Sequence, residues 1–174
     1  VRARVNNEDR DFVLCRKDGV YTDGRHPEGT EVGTLEDDLA RRDFTMNAIA
    51  IDKDGVIYDP FDGRGDIERG IIRCVGNATD RMREDSLRLL RAIRFSITKG
   101  MSMEFAIRRM FYSYDWIERL SRIKEDRIRD ELNKMLSYDT VATLKVFAEY
   151  PLLVDACFSG SIWLKATSEK RKHK

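Results

Sequence analysis

Asp85, Arg88, Arg91 and Arg94 place one carboxylate and three guanidinium groups at three-residue steps. On a helix, that step keeps side chains on one slowly drifting face. Such a face can accept from an amino edge with its acid and donate to several phosphate oxygens with its arginines, which is the chemistry a nucleoside triphosphate asks for. The spacing predicts one helix carrying all four residues. A second charged cluster, Arg41-Arg42-Asp43, lies upstream, followed by Phe44-Thr45-Met46. Plainer readings stand beside these: Asp85 with Arg88 as a surface ion pair worth about 0–1 kcal/mol, and Arg41-Arg42-Asp43 as a helix end whose cations face its dipole. Phe44 and Met46 read as core residues.

The elements that must hold these residues change character near Thr79. Upstream lie short strands and turns. Asp11 to Arg16, with Phe12, Val13 and Leu14, reads as a strand ending at the turn Lys17-Asp18-Gly19; a loop follows at Thr22 to Pro27, where His26 reads as a turn residue. Leu35 to Arg42 has the acidic start and basic end of a short helix. Ile49 to Asp52 and Val56 to Tyr58, around Lys53-Asp54-Gly55, read as a hairpin, and Ile71 to Val75 as a further strand. Downstream the period becomes helical: Leu87, Leu90, Ile93 and Ile97 make an apolar stripe closed by Gly100, and further helices are predicted near 104–112, 124–136 and 140–149. The expected fold is α+β, with residues 1–80 forming a small mixed or antiparallel sheet with helices, 81–150 an all-α region bearing the arginine stripe, and 151–174 a short tail ending in the basic run 170–174.

Composition narrows the class. A chain of 174 residues that is 41% hydrophobic suits one ordinary domain or two small ones. Charged residues reach 36%, but 32 basic against 31 acidic nearly cancel, so nucleic acid would have to be gripped by local clusters. Cys15, Cys74 and Cys157 lack the spacing of a zinc site or a disulfide framework and read as thiols in a reducing compartment. No apolar run approaches the ~18 residues of a membrane span, and none precedes Arg2 as a signal peptide. A cytoplasmic protein without a membrane partner is expected. Because Val1 opens on a strand-like segment already under way, an N-terminal part of a larger unit is also expected to be missing.

Several ordered strings resemble one family. Asp23-Gly24-Arg25-His26-Pro27, the stretch from Leu35 through Arg41-Arg42-Asp43-Phe44-Thr45 to Ala50, Asp59-Pro60-Phe61-Asp62-Gly63-Arg64-Gly65-Asp66-Ile67, and Arg83-Glu84-Asp85-Ser86-Leu87-Arg88-Leu89-Leu90-Arg91-Ala92-Ile93-Arg94-Phe95 look like the bacterial-type (class II) tRNA nucleotidyltransferases, whose close relatives are bacterial poly(A) polymerases. The likeness covers about Asp11 to Phe95, with a weaker echo at Arg127 to Leu136. It implies a partial nucleotidyltransferase head (1–80), a nucleotide-selecting neck and body (81–150), CTP and ATP as substrates, tRNA as partner, and magnesium. It gives Asp85 and Arg88 the reading of the incoming base, Arg42 and Asp43 the sugar and phosphates, and Arg91 and Arg94 further nucleotide contacts. Asp52 to Asp66 resembles a flexible motif that helps switch between CTP and ATP, with Gly55, Gly63 and Gly65 permitting motion; a hairpin followed by a loop is the alternative.

Chemistry supports the base-reading assignment. Cytosine and adenine each present an amino donor beside an unprotonated ring nitrogen, whereas uracil and guanine present a carbonyl beside an N–H. A carboxylate and a guanidinium match only the first pair, and each charged group left unpaired costs roughly 1–3 kcal/mol. The chain departs from the family at the metal. The resemblance calls for a Gly-Gly turn and an Asp-x-Asp metal pair upstream of Asp11, and neither is present there, leaving Asp11 as the third carboxylate and a candidate catalytic and metal-binding residue, or else simply a charged residue at a strand start. The expected function is addition of CMP and AMP to tRNA 3′ ends by a larger unit, this chain alone being inactive and the absent part either truncated or brought by a separate chain. Poly(A) polymerase, a non-catalytic RNA- or nucleotide-binding fragment, and a helical interaction protein using Trp116 and Phe111 to Tyr114 remain as alternatives. Ile162-Trp163-Leu164-Lys165 reads as a natural finish.

Overall fold

Charged and turn residues dominate the first 33 positions, and those described form two antiparallel ribbons. The computed structural model describes residues 1–18 and 29–158; the loop with His26, the Ile162–Lys165 stretch and the basic run 170–174 lie outside them. Strands β1 (Arg2–Val5) and β2 (Glu8–Asp11) pair in register Arg2↔Asp11, joined through Asn6 and Asn7, both at positive φ as tight hairpin turns favour. Strands β3 (Arg16–Asp18) and β4 (Thr30–Val32) make the second ribbon. The strand expected from Asp11 to Arg16 does not form as such. Phe12 exchanges backbone bonds with Val1, but Val13 and Leu14 bond no described residue, and Phe12, Val13 and Leu14 are 57%, 74% and 75% exposed. Their β-forming side chains have no third strand to pair with among the described residues.

Helix α1 (Leu35–Ala40) starts in a reciprocal cap: the Thr34 hydroxyl accepts from the Asp37 N–H, and the Asp37 carboxylate accepts from the Thr34 N–H at 2.8 Å. The chain then runs Asp43 to Thr45 antiparallel to residues 73–75, through a Phe44↔Cys74 bridge, Thr45 N–H to Arg73 C=O (2.9 Å) and Val75 N–H to Asp43 C=O (3.2 Å). A 3₁₀ turn (Thr45–Asn47) leads to the hairpin of β5 (Ala50–Ile51) and β6 (Ile57–Tyr58), as read from the sequence, with Asp52 accepting from the Asp54 and Val56 amides. Helix α2 (Gly63–Arg69) follows, its first amides bonded by Asp59 at 2.7 and 2.9 Å. Leu39, Ala48 and Val75, with Ala50 and Phe61, form an apolar centre here, and α3 (Ala78–Glu84) is capped by Asn77.

Two contacts tie α2 to the 43–45 strand. Gly63 packs so closely on Thr45 that a Cβ would lie 2.2 Å from the Thr45 carbonyl oxygen. Asp66, 1% exposed, accepts from the Thr45 hydroxyl (2.6 Å), Arg69 (2.8 Å) and Arg73 (2.7 Å). Burial pushes the Asp66 carboxyl upward, but those three donors outweigh it and hold it below the ordinary carboxylate range.

The molecule divides into two units, residues 1–69 with 73–85, and residues 70–72 with 86–174. The second is built on helices. Strands β7 (Ile71–Ile72) and β8 (Ser102–Met103) pair in parallel, and α4 (Leu87–Lys99) ends at Gly100. Then come α5 (Phe105–Arg108), a 3₁₀ turn (Arg109–Tyr112), α6 (Tyr114–Ser121), α7 (Glu125–Tyr138), α8 (Thr140–Glu149) and α9 (Pro151–Phe158). Helix α4 packs on α7 and α6 on α9, burying Leu89, Leu90, Ile93, Leu120, Met135 and Leu153 completely or nearly so. Residues 151–158 are thus a helix rather than a tail: Pro151 suits a first helical position, and Leu153, Val154 and Ala156 are buried. The α+β class holds, and the strands of the described residues make four separate pairs rather than one sheet. No helix of the described residues is long and apolar enough to cross a membrane.

Gly63→Ala is expected to lose about 3 kcal/mol of stability by overpacking backbone, whereas Gly55→Ala, in open space at positive φ, should lose only about 1–2 kcal/mol; urea unfolding of both variants measures the difference. A carboxyl held below its ordinary range adds stability that is complete above the unfolded-state pKa and is lost as pH falls through the folded one. The wild-type urea midpoint should therefore drop between about pH 5 and pH 2, and less steeply in Asp66→Asn.

Candidate functional site

At and just past the C-cap of helix α1, two arginines reach back onto one of its own acids. Asp38, buried, takes Nε (3.0 Å) and Nη2 of Arg41 on one oxygen and Nη2 of Arg42 (2.7 Å) on the other. Burial raises the Asp38 carboxyl and the two guanidinium groups more than reverse it, so it stays charged. Arg42 is held at one nitrogen, its side chain 46% exposed, and Asp38 is its partner among the described residues. Its other donors face outward, the arrangement of an anion grip. Asp43 points the opposite way in function: buried, it accepts from the Phe44 N–H (2.9 Å) and Asn47 Nδ2 (3.0 Å) and so shapes the turn it sits in.

Asp85 is not on the arginine-bearing helix. It terminates α3 in extended backbone (φ −152, ψ 101), and α4 begins at Leu87 after Ser86. The cause is local: Asp and Ser compete for backbone hydrogen bonds and favour helix ends over interiors. The stripe on α4 itself is therefore Arg88, Arg91 and Arg94. Arg88 is buried in the first turn and Arg91 half-buried with its guanidinium 5.7 Å from the Phe95 ring. Arg94 is drawn into the helical packing: Nε lies 2.5 Å from Glu131 Oε2 on α7, its guanidinium sits 4.0 Å over the Phe95 ring, and Glu131 is 3% exposed and also accepts from Lys134. An acid so placed holds the Arg94 guanidinium in one position.

Asp11 closes β2 on the surface, both oxygens engaged by Arg2 (2.8 and 3.1 Å), whose hydrogen bonds hold the carboxyl below its ordinary range. No group of three His, Cys, Asp or Glu side chains placed to hold a metal occurs among the described residues. In Asp52 to Asp66, the left-handed Gly55 sits in an open turn, but Gly63 is wedged against Thr45 and Asp66 is fixed by three donors. The far end of that segment is anchored.

Sequence reasoning missed Asp38, Thr45, Asp66 and Glu131. The i,i+3 and i,i+4 spacing of Asp38 to Arg41 and Arg42 was a usable signal. Asp66 and Glu131 carried the same local spacing to Arg69 and Lys134, but their contacts to Thr45 and Arg94, 21 and 37 residues away, left no signal in the sequence.

A family model described as the poly A polymerase head domain matches residues 1–73. The CCA-adding enzyme of Geobacillus thermodenitrificans (strain NG80-2) is 46% identical over 128 residues, covering 73% of this chain and 31% of that enzyme. The crystal structure of the Bacillus stearothermophilus CCA-adding enzyme in complex with CTP is similar with a TM-score of 0.73 at 34% identity, over 87% of this chain and 36% of that one. The Thermotoga maritima CCA-adding enzyme complexed with tRNA is similar with a TM-score of 0.65 at 30% identity, over 75% and 32%. The chain thus spans about a third of the length of the relatives it matches. With a head-domain match through residue 73, and sequence and fold likeness that continue beyond it into the helices, the chain belongs to the class II CCA-adding enzyme family.

Proposed function

We propose that this chain is part of a template-independent RNA nucleotidyltransferase that adds CMP and AMP, from CTP and ATP, to tRNA 3′ ends. The observation that carries the reading is Arg42: a guanidinium tethered by buried Asp38 with its outer donors exposed, in the stretch matched to the head domain. Such a group meets a phosphate at small entropic cost, because part of its freedom is already spent. Relatives crystallised with CTP and with tRNA support both partners. In this reading Asp85 accepts from the amino group that cytosine and adenine share, Arg88 donates to the adjacent ring nitrogen, and Arg91 serves the nucleotide beside them. Arg94 contributes through Glu131 and the packing of α4 on α7.

In this reading the magnesium of the complete unit would be held mainly by the portion of the relatives' length that this chain does not span. That portion is either joined to this sequence in one protein or supplied by a second chain. The exposed run Phe12-Val13-Leu14, in which Val13 and Leu14 bond no backbone group among the described residues, is a fitting place for it to dock, because a strand added there would satisfy donors, acceptors and apolar side chains together.

The 174-residue chain alone, given tRNA lacking its terminal CCA, magnesium and labelled CTP and ATP, should incorporate nothing. Adding the remaining portion of the Geobacillus enzyme should restore CMP and then AMP incorporation. Turnover by the chain alone overturns this division of labour, and a long A tract in place of CCA identifies a poly(A) polymerase. In the restored system, Asp85→Ala should lose about tenfold or more of the discrimination against UTP, read from competing incorporation rates.

A further inference from the structure

We infer that Asp66 is a positioning residue for the Arg42–Asp43 corner, acting through Thr45; the inference rests on the nucleotide-binding role proposed above. Thr45 is completely buried and held on three sides. Its N–H donates to the Arg73 carbonyl at 2.9 Å, its hydroxyl donates to Asp66 Oδ2 at 2.6 Å, and its carbonyl is covered by Gly63, where no side chain fits. Two residues earlier, Asp43 accepts from the Val75 N–H through its carbonyl and from Asn47 through its carboxylate. The backbone that carries Arg42 and Asp43 is thus pinned at one end by α1, through Asp38, and at the other by Thr45.

Asp66 is what makes the second pin firm. Hydroxyl bonds to a carboxylate are shorter and about twice as strong as bonds to a neutral acceptor. Without that carboxylate, the Thr45 hydroxyl retains only a 3.4 Å approach to the Arg73 carbonyl. Asp66 is itself immobilised from two elements: Arg69 of α2 binds Oδ1, and Arg73 binds Oδ2 while donating to the Phe61 carbonyl at 2.8 Å. At 1% exposure it cannot touch a nucleotide. Its effect on binding must pass through the backbone of residues 43–45.

The test is titration of CTP into the full chain and its variants, at a temperature where each is fully folded by circular dichroism. Thr45→Ser keeps the hydroxyl and should bind within roughly twofold of the wild type, while Thr45→Val and Asp66→Asn should each weaken binding about tenfold. Because Thr45→Val removes the bond through which Asp66 is inferred to act, the double variant should bind no worse than Asp66→Asn, a coupling that general destabilisation would not produce. Amide exchange at residues 43–47 should quicken in Thr45→Val and not in Thr45→Ser. Undiminished CTP affinity in folded Thr45→Val overturns the inference. Should Asp66→Asn fail to fold, the Thr45 pair decides alone. If the wild type binds no CTP, the nucleotide reading fails separately, and the exchange comparison decides: quickening confined to Thr45→Val upholds the clamp, unchanged exchange removes it.

Discussion

A charge taken out of water is the constraint around which the first unit is arranged. Burying a lone carboxylate costs several kcal/mol, and the cost is offset only when its oxygens are met by well-placed donors. Asp66 is met by three, from the 43–45 strand, from α2 and from the strand that follows β7. Each donor is therefore obliged to be where it is. The apolar centre of this unit, Leu39, Ala48 and Val75 with Ala50 and Phe61, is small, so polar connections decide the register of the strand that bears Arg42 and Asp43.

The helical unit solves its problem differently. Its helices bury long aliphatic and aromatic side chains, and burial of each is worth about 1.5–3 kcal/mol, which favours compact packing without dictating one alignment. Arg94 and Glu131 add the direction that apolar contact lacks. A buried ion pair is weak evidence of stability, but it penalises any sliding of α4 on α7 that would part the two charges. The arginine stripe thus has two occupations: Arg94 holds the scaffold, and Arg88 and Arg91 ride on it.

What could be read in the sequence was what local spacing determines. The acidic start of α1, the hairpin at 50–58 and the amphipathic helices at 87–99, 125–138 and 140–149 were legible because their signals lie within a turn or two of the chain. Helix α2 was obscured by Gly63 and Gly65, residues poor at helix formation; the first is there because Thr45 comes too close for anything larger. Asp85 illustrates the reverse failure. Three-residue spacing suggested one continuous face, yet Asp85-Ser86 carries its own preference for a break, and that local chemistry prevailed over the pattern. The strand signal of Phe12-Val13-Leu14 was faithful to composition, but a strand needs a neighbour, and neighbours are not encoded in the segment itself.

The turn at Asn6-Asn7 gives the first ribbon a character that matters to the chain's fate after synthesis. Two adjacent asparagines in the left-handed region bend the chain back on itself from residues one position apart, so β1 and β2 can zip together early and without help from distant sequence. The exposed apolar run that follows, Phe12-Val13-Leu14, lies beside that ordered ribbon, the kind of edge that a legitimate mate or another copy of the chain could extend.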